Sequence, residues 1–590
     1  MRRCGLPGRW VSRYNAGVTT TAPEPDAEPS DAAPASDPRA PASNAKAARR
    51  AWSANDRVLA AACVLGLAFL LLQIVMFGYG RDQGIYAMVG RSLLSGGMPY
   101  RDAWDFKPPG IFVIYALSRA VFGSGQWGIR LLEILGIVAT TIAMMKLTER
   151  WWGDRRVGLL AGTIAALVHA QLEFWHTAQP ESFGGMLTIF ALLPLHLEAP
   201  AELGRVAPDR DTLRRWAFSG ALFGLAGLLK PPLAGGGAVV ALMLGVRVLR
   251  ARTSVPIVPR LRAALVPAVA FVLGGSAPIV LCALWFLARG AARDLWQVLF
   301  VFTPHYTKLS WVGETLPGMV YWGFTEWLQQ YCSVPTVGLF LFLAFARTPR
   351  ERPGAALVAG IIAVHLAGVI MQGKFFPYHY GATWPLTALL AALGFMRVWD
   401  FLVSRAGALG AALFFVVFGV VCLFRTATKD TETSFLQRCG QRITLLTKSP
   451  RDQVALDRLA SVADVNAVAN REVAAFLRAR VPADRKVFVW GFEPAIYDLA
   501  DRTPATRYLY DVPQRVAWAK EKERATLMRD LDAGRPAAIV VERHDVFPMV
   551  TGDAIDSADT LKDFPALRDR IAERYERATT IEDFDVYLER

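Results

Sequence analysis

Charged side chains are scarce in this sequence, at 20% of 590 residues, against about 25% in ordinary soluble domains. Hydrophobic residues make up 53%, and the mean hydropathy is +0.29. This balance excludes disorder throughout and argues against a single soluble globule. Cysteine is rare as well. Cys4, Cys63, Cys282, Cys332, Cys422 and Cys439 are scattered without paired spacing, which points to neither a disulfide framework nor a cysteine-ligated zinc. The N-terminal stretch MRRCGLPGRWVSRYN carries charge but no apolar core, so a cleavable signal peptide is not expected there. No internal repeat is visible. Acid is outnumbered by base, 51 to 65, for a net charge of +14. The arginines lie in short stretches between apolar blocks, so membrane topology explains the excess better than nucleic-acid binding.

What the sequence has in quantity is apolar runs of about 15–25 residues, the length that crosses a roughly 30 Å hydrocarbon layer as a helix. Residues 1–57 read as a disordered cytoplasmic tail, with an Ala/Pro/Asp/Glu/Ser-rich stretch from Thr19 to Asn44. A first span is expected at Val58–Phe77. Further spans follow at 129–147, 157–173, 182–197, 216–233, 234–249, 263–287, 331–346, 354–372, 381–398 and 406–424, about eleven in all. Ile111–Phe122, some twelve residues long, reads as an interfacial or re-entrant segment. The pattern is that of a multi-span α-helical membrane protein over 58–425.

Charge tests this count separately. With the N-terminus in the cytoplasm, the inner loops are Lys146–Arg156, the stretch through Arg205, Arg210, Arg214 and Arg215, the stretch through Arg247 to Arg262, Arg347–Arg352 and Arg397–Arg405. All are short and arginine-rich, as the positive-inside rule asks. Outer loops then fall at 78–128 and 288–330, followed by an extracytoplasmic α/β domain over 426–590. In that domain, helices are expected at 456–481, 494–501 and 514–531, and strands at 486–490, 506–510, 537–542 and 585–588.

The first outer loop, RDQGIYAMVGRSLLSGGMPYRDAWDFKPPGIFVIY, holds the chemistry. Asp82 follows the first span directly. Asp102, Asp105 and Lys107 return to the same interface just before an apolar stretch. Three acidic residues and a lysine are thus held at the bilayer surface by segments that enter it at both ends.

This string resembles the bacterial members of glycosyltransferase family 39, of the GT-C class, a group that includes protein O-mannosyltransferases and the aminoarabinose transferases that modify lipid A. The pieces carrying the resemblance are Asp82-Gln83, Tyr86, Gly96-Gly97-Met98-Pro99-Tyr100 and Lys107-Pro108-Pro109, with Arg130-Leu131 opening the next span. Weaker matches are Ala178-Gln179-Pro180-Glu181, Lys230-Pro231 and Phe375-Phe376-Pro377-Tyr378. The resemblance covers roughly 58–398. Two departures stand out: Gln83 replaces the second acid of the usual pair, and Ile85 replaces the arginine of aminoarabinose transferases. They argue for a plain hexose or pentose donor.

The resemblance implies a membrane glycosyltransferase with a GT-C-like fold that takes a sugar from a polyprenyl phosphate and passes it, with inversion, to a hydroxyl on a lipid, glycan or protein. Asp82 is the expected base for a neutral alcohol, with Glu181 as a second acid. Lys107 and Lys230 are the expected cations on the departing phosphate. Tyr86, Asp102, Asp105, His176, Lys374, Tyr378, His379 and Tyr380 are expected around the cavity. No cofactor is required, and a divalent cation is allowed without any ligand spacing that demands it. A structural reading stands beside each of these: snorkelling for Lys107 and Lys230, a helix N-terminal acid for Glu181, and an interfacial aromatic belt for 374–380. Arg130 and Glu133, three apart, read as a structural pair. His169, His196 and His365, inside apolar blocks, read as buried and hydrogen-bonded. A secondary transporter or flippase is the rival function. A transporter usually places its charges at the bilayer midplane on broken helices, often with repeat symmetry, whereas here they gather in a loop. A membrane scaffold with an outer binding domain explains the spans but not the loop.

Overall fold

The computed structural model describes residues 52–196, 209–250, 256–329, 333–345, 347–423, 434–448, 452–462 and 465–590. The expected N-terminal tail, the loops carrying Arg205 and Arg252, and the expected boundary near 425 lie outside these residues. From Arg50 onward the chain forms one compact unit.

The helical part runs α1 (Ala54–Val75), α2 (Arg81–Leu94), α3 (Gly110–Phe122), α4 (Trp127–Trp152), α5 (Arg155–Gln171), α6 (Pro180–Leu192), α7 (Arg210–Leu229), α8 (Gly235–Arg250) and α9 (Ile257–Ala288). It continues through α10 (Ala292–Trp296), a π-turn at Gln297–Phe302, α11 (Thr303–Lys308), α12 (Leu316–Gln329), α13 (Ser333–Ala344), α14 (Glu351–Gln372) and α15 (Trp384–Leu423). Among the described residues, five helical stretches are long and apolar enough to cross a bilayer: Ala54–Val75, Trp127–Trp152, Ile257–Ala288, Glu351–Gln372 and Pro377–Leu423. Each of the eleven expected segments falls on a helix. The last two join in α15, where Gly407 takes a positive φ of 54° and breaks the run. The chain also breaks where Lys230-Pro231-Pro232 forecast it. Lys230 is extended (φ −157°, ψ 118°) and a single 3₁₀ turn leads into α8, because Pro231 and Pro232 have no N–H to continue the helical ladder.

Glycine lets two helices of the bundle approach closely. A Cβ on Gly220 would stand 1.9 Å from the Phe271 carbonyl oxygen, and one on Gly224 would stand 2.1 Å from that of Gly275. Backbones of α7 and α9 therefore touch directly, which is how helices associate without a hydrophobic drive between them.

The basic segments converge at one end of the bundle. Arg156 pairs with Asp56 at the start of α1 and with Asp400 in α15. Trp399 Nε1 donates to Asp56 at 3.2 Å, and Arg350 donates to the Trp151 and Arg150 carbonyls.

At the opposite end lies the α/β part: α16 (Phe435–Leu446), α17 (Gln453–Ala460), α18 (Ala467–Arg480), β1 (Val487–Trp490), α19 (Ala495–Ala500), α20 (Val512–Arg515), α21 (Lys520–Gly534), β2 (Ala538–Glu542), α22 (Pro548–Thr551), α23 (Ser557–Thr560), α24 (Pro565–Arg574), β3 (Tyr575–Ile581) and β4 (Phe584–Glu589). The sheet order is β1-β2-β4-β3, with β1 and β2 parallel and the other pairs antiparallel. VFVW and AIVVE are buried along their whole length, as expected of unbroken apolar strands covered on both faces.

Several sequence expectations need correction here. The first outer loop begins with a helix, α2, because its residues 83–90 are all buried and packing outweighs its two glycines. The single helix expected at 456–481 is two, α17 and α18, with Asn466 capping the second. Helix 514–531 starts properly only at Lys520. Residues 506–510 are not a strand of the sheet: Trp104 N–H donates to the Arg507 carbonyl at 2.8 Å, so this backbone pairs with the first outer loop instead. Strand β3 escaped the reading because its charged, exposed face hides any apolar pattern.

Candidate functional site

The site is built where α2, the turn after it, and the α/β part meet. Gln83 anchors α2. Its side-chain oxygen accepts the Gly80 N–H at 3.0 Å, and its amide donates to the Phe174 and Thr177 carbonyls at 2.6 and 2.9 Å. A carboxylate could not donate to two carbonyls, which accounts for glutamine where the resemblance led to an acid. Anchored this way, Asp82 lies in the first turn of α2 at the edge of a cavity. Gly84 lets α2 meet α19, since a Cβ there would be 2.7 Å from the Ala495 nitrogen.

The Gly-Gly-Met-Pro-Tyr turn positions the lysine. Gly96 (φ 86°) and Tyr100 (φ 72°) both adopt left-handed backbone, and the Tyr100 hydroxyl donates to the Lys107 carbonyl at 2.8 Å. Lys107 Nζ then lies 3.5 Å from Asp82 Oδ2 and 3.4 Å from the Tyr378 hydroxyl. Lys107 Nζ also lies 5.2 Å from the centre of the Tyr378 ring. Asp105 is fully enclosed, with the Tyr510 hydroxyl donating to it at 2.7 Å. Burial pushes the Asp105 carboxyl up to about 6, and the Asp82 charge adds to this, while Lys107 and Tyr510 hold it down. For Lys107, burial favours the neutral amine, but the surrounding carboxylates of Asp82, Asp105 and Glu181 outweigh it and the balance is upward.

The cavity measures about 130 Å³, and half of its lining residues are aromatic, among them Phe106, Trp175, Tyr306, Phe376 and Tyr378. Beside it, Lys230 pairs with Glu181 in the first turn of α6 and lies 5.8 Å from the Tyr378 ring. Lys374 reaches the roof. It donates to the Met549 carbonyl and stands 4.0 Å over the Tyr306 ring, and burial pushes it down to about 8.

The structure thus brings Asp82, Lys107, Asp105 and Tyr378 together, with Lys230, Glu181 and Lys374 around them. Other expected residues stand apart. Asp102 is at the surface with Arg101 and the Met98 N–H. His176 is buried with Nδ1 on the Val168 carbonyl, and burial lowers it to about 4, so it is neutral. The Tyr86 hydroxyl meets Gln179 at 3.3 Å, Tyr380 donates to the Gly323 carbonyl, and His379 packs against Phe376 and Tyr378. Arg130 and Glu133 do pair, and Arg130 also holds the Phe77 and Gly78 carbonyls and Thr177. Among the described residues, no three His, Cys, Asp or Glu side chains gather where they could hold a metal ion.

Sequence reasoning missed Arg81, Tyr306, Tyr510 and Phe547. Arg81 pairs with Glu493 at 2.9 Å and lies 4.7 Å from the Phe547 ring. Its place beside Asp82 was the available signal. Tyr510 and Phe547 come from more than 400 residues downstream and left none.

A multi-pass helical bundle with an α/β part over one end agrees with the GT-C-like fold that the resemblance implied. Residues 106–273 match the family model described as dolichyl-phosphate-mannose-protein mannosyltransferase. Two solved structures of ArnT from Cupriavidus metallidurans share the fold. The apo form aligns with a TM-score of 0.53 at 16% identity, over 90% of this chain and 97% of that one. The form bound to undecaprenyl phosphate aligns with a TM-score of 0.51 at 14% identity, over 91% and 98%. The oligosaccharyltransferase AglB from Archaeoglobus fulgidus aligns more loosely, at 0.41 and 12% identity over 81% and 69%. No curated protein matches the sequence. The expected GT-C-like fold is borne out by the two ArnT structures, and the matched segment falls inside the region of the expected family resemblance.

Proposed function

We propose that this chain transfers a hexose or pentose from a polyprenyl-phosphate donor to a hydroxyl acceptor at the outer face of the cytoplasmic membrane. The observation that carries the reading is the Asp82–Lys107 pair, with the Tyr378 hydroxyl beside Lys107, at the mouth of a ring-lined cavity. The acceptor oxygen attacks the anomeric carbon while Asp82 takes the hydroxyl proton. The bond from that carbon to the phosphate oxygen breaks, its electron pair leaves on the phosphate, and Lys107, with Lys230 behind it, offsets the developing charge. A single displacement inverts the anomeric centre. The form of ArnT solved with undecaprenyl phosphate supports a lipid-phosphate donor here.

The convergence of Arg156, Arg350 and Arg397 at the far end of the bundle supports a cytoplasmic N-terminus, with the site and α/β part outside. The charges sit at the end of the bundle rather than midway along broken helices, which favours transfer over transport. The acceptor is a lipid, a glycan or a protein. Asp82→Asn should lower sugar transfer in proteoliposomes by about 10²–10⁴-fold while folded yield and donor binding persist. Transfer at the native rate would remove Asp82 as the base.

A further inference from the structure

A second, larger cavity of about 490 Å³ lies against the first. The two share a single layer of rings. Trp104, which lines the second, is 5.8 Å from Tyr510 and 4.9 Å from Phe302, and Tyr510 lines the first. Three parts of the chain wall the second cavity: the first outer loop through Trp104, the α10–α11 segment, and the α/β part through Tyr508 and α21. Its inner wall is aromatic, with Trp518 5.6 Å from Phe302 and Trp104 6.2 Å from Tyr508.

The charges at its rim balance. Arg507 is neutralised by Asp530 at 2.9 Å. Lys522 pairs with Glu523 at 3.1 Å, and Glu523 also accepts from the Tyr508 hydroxyl, which leaves Arg293 against Asp294. A phosphate or an acidic polymer would call for an excess of cations, and an acyl chain would not face four ionised groups. Flat rings that cover C–H faces, with Asp294 to accept from hydroxyls and Arg293 and Lys522 to donate to them, suit a neutral saccharide. The volume falls within the about 300–1,000 Å³ of small-ligand sites.

A second observation points the same way. The wall residues Gln297, Val298, Val301 and Phe302 belong to the π-turn at 297–302, and such turns recur at functional sites. The turn carries Phe302 to the shared wall and ends at Thr303, whose hydroxyl donates to the Val298 carbonyl at 2.9 Å and lies 3.3 Å from the Phe106 carbonyl beside Lys107.

We propose that this cavity is a saccharide-binding subsite that holds the non-reacting part of a carbohydrate acceptor. Its role as an acceptor subsite rests on the glycosyltransferase reading; its binding of saccharide does not. The test is saturation-transfer NMR on the full chain in detergent with maltotriose, mannotriose, xylotriose and arabinotriose. At least one should bind saturably. Trp518→Ala should weaken that binding at least tenfold, and Asp294→Asn with Lys522→Ala, both at the rim, should weaken it at least threefold. Asp82→Asn should bind as the native protein does. Unchanged binding in the Trp518 and rim variants overturns the proposal, as does binding by none of the four saccharides. Competition by an oligopeptide that is lost with the same variants would assign the cavity to a protein acceptor and overturn it too. If saccharide binding follows this pattern but Asp82→Asn transfers sugar normally, the subsite stands and the base assignment falls.

Discussion

Replacing Tyr510 with phenylalanine removes one oxygen and leaves the ring in place against Phe492 and Trp104. What is lost is the hydrogen bond to the enclosed Asp105 carboxylate at 2.7 Å. Burial already pushes that carboxyl up to about 6. A hydrogen bond to a charged group contributes about 1.5–3 kcal/mol, and each pH unit corresponds to about 1.4 kcal/mol. Losing the bond should therefore move the Asp105 titration up by about 1–2 units, to roughly 7–8. The sign for ligand binding follows. As pH falls through the titration, Asp105 takes a proton, the cavity sheds one negative charge, and an anionic donor binds more tightly. At about 7 Å and an effective dielectric near 20, that charge is worth about 2 kcal/mol, or roughly thirtyfold in affinity. The assay is binding of a polyprenyl-phosphate sugar, a phosphodiester whose own charge is constant from pH 5 to 9. The native protein should tighten its binding as pH drops through about 6, and Tyr510→Phe should show the same rise displaced to higher pH. Superimposable curves for the two proteins would refute the coupling between Tyr510, Asp105 and the phosphate.

Two further outcomes follow from packing. Arg81 and Glu493 are nearly buried, at 12% and 2% exposed, so Glu493→Gln removes the charged partner of an enclosed pair at a cost of about 1.5–3 kcal/mol. It should lower the thermal midpoint and speed proteolysis in the α/β part; an unchanged melting curve would mean that the pair does not hold α2 to that part. Gly220→Ala places a methyl where the Phe271 carbonyl stands, costing about 1–3 kcal/mol by overpacking. It should reduce the monodisperse fraction on size exclusion in detergent, whereas Gly245→Ala, in open space, should not.

Much of the helical part is legible from residues alone. An apolar run of bilayer length has few alternatives to a helix, because a backbone in lipid must satisfy its own hydrogen bonds. The break at Lys230 was equally legible, since proline enforces it locally. Asp82 and Lys107 could be singled out because one loop carries both at a membrane edge. Their approach to 3.5 Å depends on the left-handed Tyr100 and its bond to the Lys107 carbonyl, which no spacing reveals. Gln83 was read as a missing acid; only its partners show an amide fixing the helix.

Tyr510 and Phe547 mark what local sequence cannot supply. They reach the cavity because one hydrophobic core runs without interruption from Ile74 and Tyr86 to Val489 and Val540, and contacts across some 400 residues leave no periodic trace. Sequence alone determined the membrane-length helices, their breaks and the motif at the first loop, since these follow from solvation and short-range backbone sterics. Tertiary structure decided which ionisable groups share a cavity and what each is bonded to, because burial and charge pairing depend on distances that exist only once the chain has closed on itself.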